Sequence, residues 1–227
     1  MCCVRFVGLM LAVVVFLPSA TAEPAAELDV FTQPDGETFF AARLSAGNSL
    51  PGAARHDVVV LFDTSASQTS VYRETAVAAL DALLAGLDDA DRVKLVAVDL
   101  MSPELSEGFV APRGEAAQMA RKKLMDRAPL GATDMEFALR AAVDSFDSAS
   151  DAARMVVYIG DGVSTTNLLE GEKLRGVIDA LVAARIPVSS YAVGPRTDAM
   201  LLAVVANQTG GNLYGNGPFH LFFDARK

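Results

Sequence analysis

Cysteine is nearly absent: the 227 residues hold two, Cys2 and Cys3, at the extreme start. Nothing beyond them can form a disulfide framework, a thiolate metal site or a cysteine nucleophile. Histidine is equally scarce. His56 stands at the start of an apolar run and His220 in an irregular tail, and neither has a partner at ligand spacing. Positive charge is in deficit too, with 19 Lys and Arg against 28 Asp and Glu, a formal net charge of -9 and a pI near 4.7. No basic stripe is available to neutralise a phosphate backbone, which excludes nucleic acid as the main partner. A Gly-x-x-x-x-Gly-Lys phosphate loop is missing, as are internal repeats and low-complexity tracts.

What is present begins with a leader. Arg5 precedes an apolar run from Phe6 to Leu17, and Ala20-Thr21-Ala22 supplies a small-x-small cleavage site before Glu23. Residues 1–22 read as a signal peptide. The run is shorter than the roughly 20 residues a spanning helix needs, so no stable membrane insertion is expected after cleavage. Residues 23–55 read as a lead-in, mobile over 23–37 and with one strand near Phe39 to Leu44. A domain is expected over 56–215 and an irregular tail over 216–227, where a closing helix would be expected; the chain reads there as a fragment or a shortened variant. Export without disulfides suits a bacterial envelope: a secreted, periplasmic or cell-envelope setting.

Within 56–215, short apolar runs alternate with segments of helical spacing. Asp57 to Phe62 is continuous and apolar, the pattern of a strand buried on both faces. Val71 to Leu87 carries apolar residues at 76, 77, 80, 83, 84 and 87, which is helical. Strands are expected at 93–100, 155–159, 187–193 and 213–214, and helices at 114–125, 133–146, 171–184 and 198–207. This order predicts an α/β fold: a doubly wound, mostly parallel sheet with helices on both faces.

Ligands of open α/β sheets sit at the carboxyl ends of the strands. There the first buried strand runs into Asp63-Thr64-Ser65-Ala66-Ser67 and a later one into Gly160-Asp161-Gly162, with Gly131-Ala132-Thr133-Asp134 opening a helix between them. Oxygen donors of this kind suit a hard divalent cation. Each piece also has a plain structural explanation. Ser65 or Ser67 can cap a helix, Thr133 with Glu136 matches a capping box, and Asp-Gly can be a turn. The three in order resemble the metal-ion-dependent adhesion site of von Willebrand factor type A domains, secreted bacterial members among them. Leu201-Leu202 and Thr209-Gly210-Gly211 add to the likeness.

The resemblance implies that Ser65, Ser67 and Thr133 bind the ion through hydroxyls and that Asp63 and Asp161 act mainly through bound water. The metal would be Mg²⁺ (or Mn²⁺ or Ca²⁺), with a protein ligand's Asp or Glu completing the shell. Two departures stand out: Gly160 where many members have Thr, expected to loosen the surroundings of Asp161, and the short C-terminus. No enzymatic activity is expected. The competing readings are a metal-dependent phosphohydrolase with Asp63 as nucleophile, and a structural domain with an unused metal site. The phosphohydrolase is disfavoured because Ser65 stands where one common phosphatase pattern has an acid and no basic residue adjoins either aspartate.

Overall fold

A computed structural model describes residues 25–45 and 53–215. The expected signal peptide over 1–22 and the expected irregular tail over 216–227 lie outside these residues. The chain divides into two units, residues 1–51 and 52–227.

In the first unit, β1 (Ala25–Thr32) and β2 (Thr38–Ser45) form an antiparallel hairpin, with Val30 opposite Phe40 and Thr32 opposite Thr38. Its turn closes through Gln33 N–H to the Glu37 carbonyl, with Gly36 at a φ of 89°. The expected mobile stretch over 23–37 is therefore mostly strand and turn. Asp35-Gly36 between two β-prone runs is the hairpin signal, and the Ala, Glu and Pro content masked it.

In the second unit, β3 (His56–Asp63), β4 (Arg92–Val98), β5 (Ala153–Gly160), β6 (Val188–Ala192) and β7 (Leu213–Tyr214) form one parallel sheet in the order β4-β3-β5-β6-β7. Pairing of β3 with both β4 and β5 explains its unbroken apolar run, because neither edge nor either face meets water. Val58, Val60 and Phe62 pack under α1 (Ser70–Gly86) and α2 (Glu115–Asp126). Val59 and Leu61 point the other way, under α3 (Met135–Asp144), α4 (Gly171–Ala183) and α5 (Ala199–Thr209). The sheet is thus covered on both faces, as the alternating pattern predicts. Beyond β4 the segment 99–114 adds isolated antiparallel bridges, Val93 to Val110 and Val96 to Glu104. Among the described residues no helix is long and apolar enough to cross a membrane.

The direction of winding reverses between β3 and β5, since β3 leads outward to β4 and the chain then crosses back to β5. Parallel strands part their loops at such a point and open a crevice beyond their carboxyl ends. Asp63 closes β3 there, and Asp161 directly follows β5.

Candidate metal centre

The loop after β3 folds back on itself. Asp63 Oδ1 accepts the Ser65 N–H at 2.8 Å, and Thr64 is anchored sideways to the Val98 carbonyl by both its N–H and its hydroxyl. This turn brings Ser65 Oγ to 2.9 Å from Ser67 Oγ, and the Ser67 hydroxyl donates to Asp161 Oδ2 at 2.5 Å. Thr133 Oγ1 donates to Asp63 Oδ1 at 3.4 Å. The five residues singled out by the motif therefore meet in one hydrogen-bonded chain, from Thr133 to Asp63 and from Ser65 through Ser67 to Asp161.

Thr133 is held from several sides. Its carbonyl accepts from Thr165 N–H and from the Thr166 hydroxyl, and its own N–H donates to Thr165 Oγ1. The Ala66 N–H reaches the Gly131 carbonyl at 3.2 Å, tying the first loop to the second. Asp99 contributes through its backbone, accepting the Asp134 N–H, while its carboxylate caps Met101 and Ser102 and pairs with Arg127.

The plain capping explanations do not describe these residues. Helix α1 begins at Ser70 with Thr69 at its N-cap and no side-chain bond there, so neither Ser65 nor Ser67 caps it. Helix α3 is capped by Asp134, which accepts the Phe137 N–H, and not by Thr133. The hydroxyls of Ser65, Ser67 and Thr133 are left for the site.

Sequence reasoning missed Tyr158. It is fully buried, its hydroxyl donates to Asp63 Oδ2 at 2.9 Å, and it accepts the Gly162 N–H at 3.0 Å. One phenol thus links the two aspartate loops. A signal existed: a tyrosine inside a strand of Val and Ile must find a polar partner for its hydroxyl. Gly160 acquires a reason as well. A Cβ there would lie 2.4 Å from Asp63 Cβ and 2.5 Å from the Tyr158 hydroxyl. The glycine makes room for Tyr158 to brace Asp63.

Burial pushes the Asp63 carboxyl above its ordinary pKa, and the neighbouring Asp161 charge pushes it the same way, against hydrogen bonds from Ser65 and Tyr158. Among the described residues no Lys, Arg or His forms an ion pair with either aspartate. Two carboxylates and three hydroxyls without a paired cation form an oxygen-only donor set, and a divalent ion would relieve the repulsion within it. No three His, Cys, Asp or Glu residues come together as a metal-ligand set among the described residues, so hydroxyls must supply much of any coordination. Above the site opens a cavity of about 410 Å³, lined by Ser65, Ser67, Asp161, Val163, Thr165 and Arg196 among others.

The family's sequence model, described as the von Willebrand factor type A domain, matches residues 56–214. The chain belongs to the von Willebrand factor type A family. By sequence, no curated protein matches it. Solved structures share the fold of this type A domain at low identity. A von Willebrand factor type A protein from Catenulispora acidiphila is 14% identical with a TM-score of 0.65, over 92% of this chain and 50% of that one. The chain thus spans about half the length of that relative. An aerotolerance-related membrane protein from Bacteroides fragilis is 17% identical, TM-score 0.56, over 75% of this chain and 94% of that one. The manganese-loaded TRAP protein of Plasmodium vivax is 16% identical, TM-score 0.55, over 82% and 67%.

Proposed function

We propose that this type A domain captures a protein ligand through a divalent cation. The carrying observation is the single hydrogen-bonded chain of Asp63, Ser65, Ser67, Thr133 and Asp161 at the carboxyl edge of the sheet. In this reading Ser65, Ser67 and Thr133 hold the ion through their hydroxyls, and Asp63 and Asp161 balance its charge, mainly through bound water. Mg²⁺ is the expected metal, with Mn²⁺ and Ca²⁺ as substitutes. When bound, the ion supplies an open position for a carboxylate, and the ligand's Asp or Glu fills it. The manganese-loaded state of the similar Plasmodium protein supports divalent-cation binding by a domain of this fold.

Binding is favoured over hydrolysis by the state of Asp63. A nucleophilic carboxylate must meet its substrate. Asp63 is fully buried, one oxygen accepting from Ser65 and Thr133 and the other from Tyr158. The signal-peptide pattern read over residues 1–22 supports an exported setting, secreted, periplasmic or in the cell envelope.

Calorimetry with Mg²⁺ and Mn²⁺ tests the reading. Wild type is expected to bind both, and Asp63→Ala to lose about 10–100-fold in affinity, the order expected for removing a partner that holds the ion through water. Equal binding by the two proteins would remove the site as drawn.

A further inference from the structure

Beside the metal-site cavity lies a second one of about 300 Å³, between the segment 163–170 and α5, with Leu168, Leu174, Met200, Leu201 and Val204 in its lining. Val163 lines both cavities. The backbone joins them again, because the Asp198 N–H donates to the Asp161 carbonyl at 2.8 Å and Asp198 borders the second cavity. The two are neighbouring compartments on one framework. Leu168 and Met200 are 68% and 79% exposed and Val204 is exposed as well, while Leu201 beside them is buried. Contiguous exposed apolar side chains beside a polar site mark a recognition surface.

Charge assigns an end to each compartment. Arg196 lines the metal-site cavity and forms no ion pair among the described residues. A divalent ion offsets Asp63 and Asp161, and Arg196 then leaves the mouth net positive. The second cavity has Glu170 and Asp198 in its lining, which disfavour another carboxylate. An occupant complementary to both is anionic at one end and apolar at the other.

We propose that the ligand of this domain is an extended peptide segment in which an Asp or Glu is followed within three residues by a large apolar side chain. The carboxylate sits beside Arg196 at the metal site, and the apolar side chain fills the Leu168–Met200–Val204 cavity. The proposal rests on the metal-dependent reading above for its acidic end, and on the second cavity alone for its apolar end.

The test uses the full chain and short Gly/Ser peptides carrying Asp-Leu, Asp-Gly-Leu or Asp-Gly-Gly-Leu, each with a counterpart in which Leu is replaced by Ser and another in which Asp is replaced by Asn. Affinities are measured by fluorescence anisotropy in Mn²⁺ and in chelator, and methionine methyl resonances are followed by NMR. At least one Leu peptide is expected to bind about tenfold tighter than its Ser counterpart, the size of effect a buried leucine supplies. The Met200 methyl signal should shift with that peptide only. Met200→Ser and Leu168→Ser should erase the preference without changing Mn²⁺ affinity, and Arg196→Ala should weaken every Asp peptide. Equal affinity of Leu and Ser peptides at all three spacings, or an unmoved Met200 signal, overturns the proposal. Should Asp still be preferred over Asn in Mn²⁺, the metal reading stands and the apolar subsite falls. Leucine preference unchanged by chelator would do the reverse.

Discussion

Tyr158 and Gly160 sit two apart on β5, on the same side of the strand, and share one small volume beside Asp63. The tyrosine hydroxyl fills it and bonds to Asp63 and to the Gly162 backbone, and the missing Cβ at 160 lets it do so. Forcing a larger side chain into such a site costs about 1–3 kcal/mol. Removing the hydroxyl leaves two buried polar groups unpartnered, a cost of about 1–3 kcal/mol. Gly160→Thr and Tyr158→Phe should therefore each destabilise the domain. The double variant should lose less than the sum, because removing the hydroxyl vacates part of the space that threonine needs. Denaturant unfolding of the four proteins measures this, and strictly additive losses would show that the two positions are independent.

The loops at the carboxyl edge depend on elements whose other ends are also pinned. At the amino edge, buried Asp91 stands between α1 and β4. It accepts the His56 N–H, the His56 Nδ1 hydrogen and the Asp88 N–H, each at 2.8 Å. Burial raises its pKa, but these hydrogen bonds and the nearby imidazole outweigh burial and leave it below the usual carboxylate range. A depressed carboxylate contributes stability that is present above its unfolded pKa and lost as pH falls through its folded one. Asp91→Ala should cost about 1–3 kcal/mol at neutral pH. The gap to wild type should close in acid below the ordinary carboxylate range, as followed by thermal unfolding against pH. A gap constant to the lowest pH would sink the assignment. His56, which has no ligand-spaced partner in the sequence, is a half-buried strut of this amino edge.

For the molecule as a whole, the proposed metal site is a cost as well as an asset. Asp63 is raised by burial and by Asp161. A group raised in the folded state favours the fold at low pH and loses that contribution as pH rises through the folded pKa. The metal-free domain therefore carries an unrelieved repulsion at neutral pH, and a cation should stabilise it more there than in acid, where protons compete for Asp63. Mg²⁺ at 100 times its dissociation constant contributes about 2.7 kcal/mol, or about 5–10 °C in Tm for a domain of this size. That gain is expected at pH 7.5, smaller at pH 4.5 and absent in Asp63→Ala. Differential scanning calorimetry decides it, and a gain that grows toward acid contradicts the account.

At this scale the α/β architecture was legible in the sequence, because each element is coded locally: unbroken apolar runs for doubly covered strands and 3.6-residue spacing for the helices between. The five candidate ligands were legible too, since their motif lies at strand and helix ends whose position follows from that alternation. Their chemistry as a connected chain was not, because Asp63 and Asp161 become neighbours only when β5 pairs beside β3. The same pairing brings the Tyr158 hydroxyl, the close approach at Gly160 and the junction of two cavities at Val163 into one place. No local pattern encodes such contacts, which join side chains about a hundred residues apart and arise only from packing.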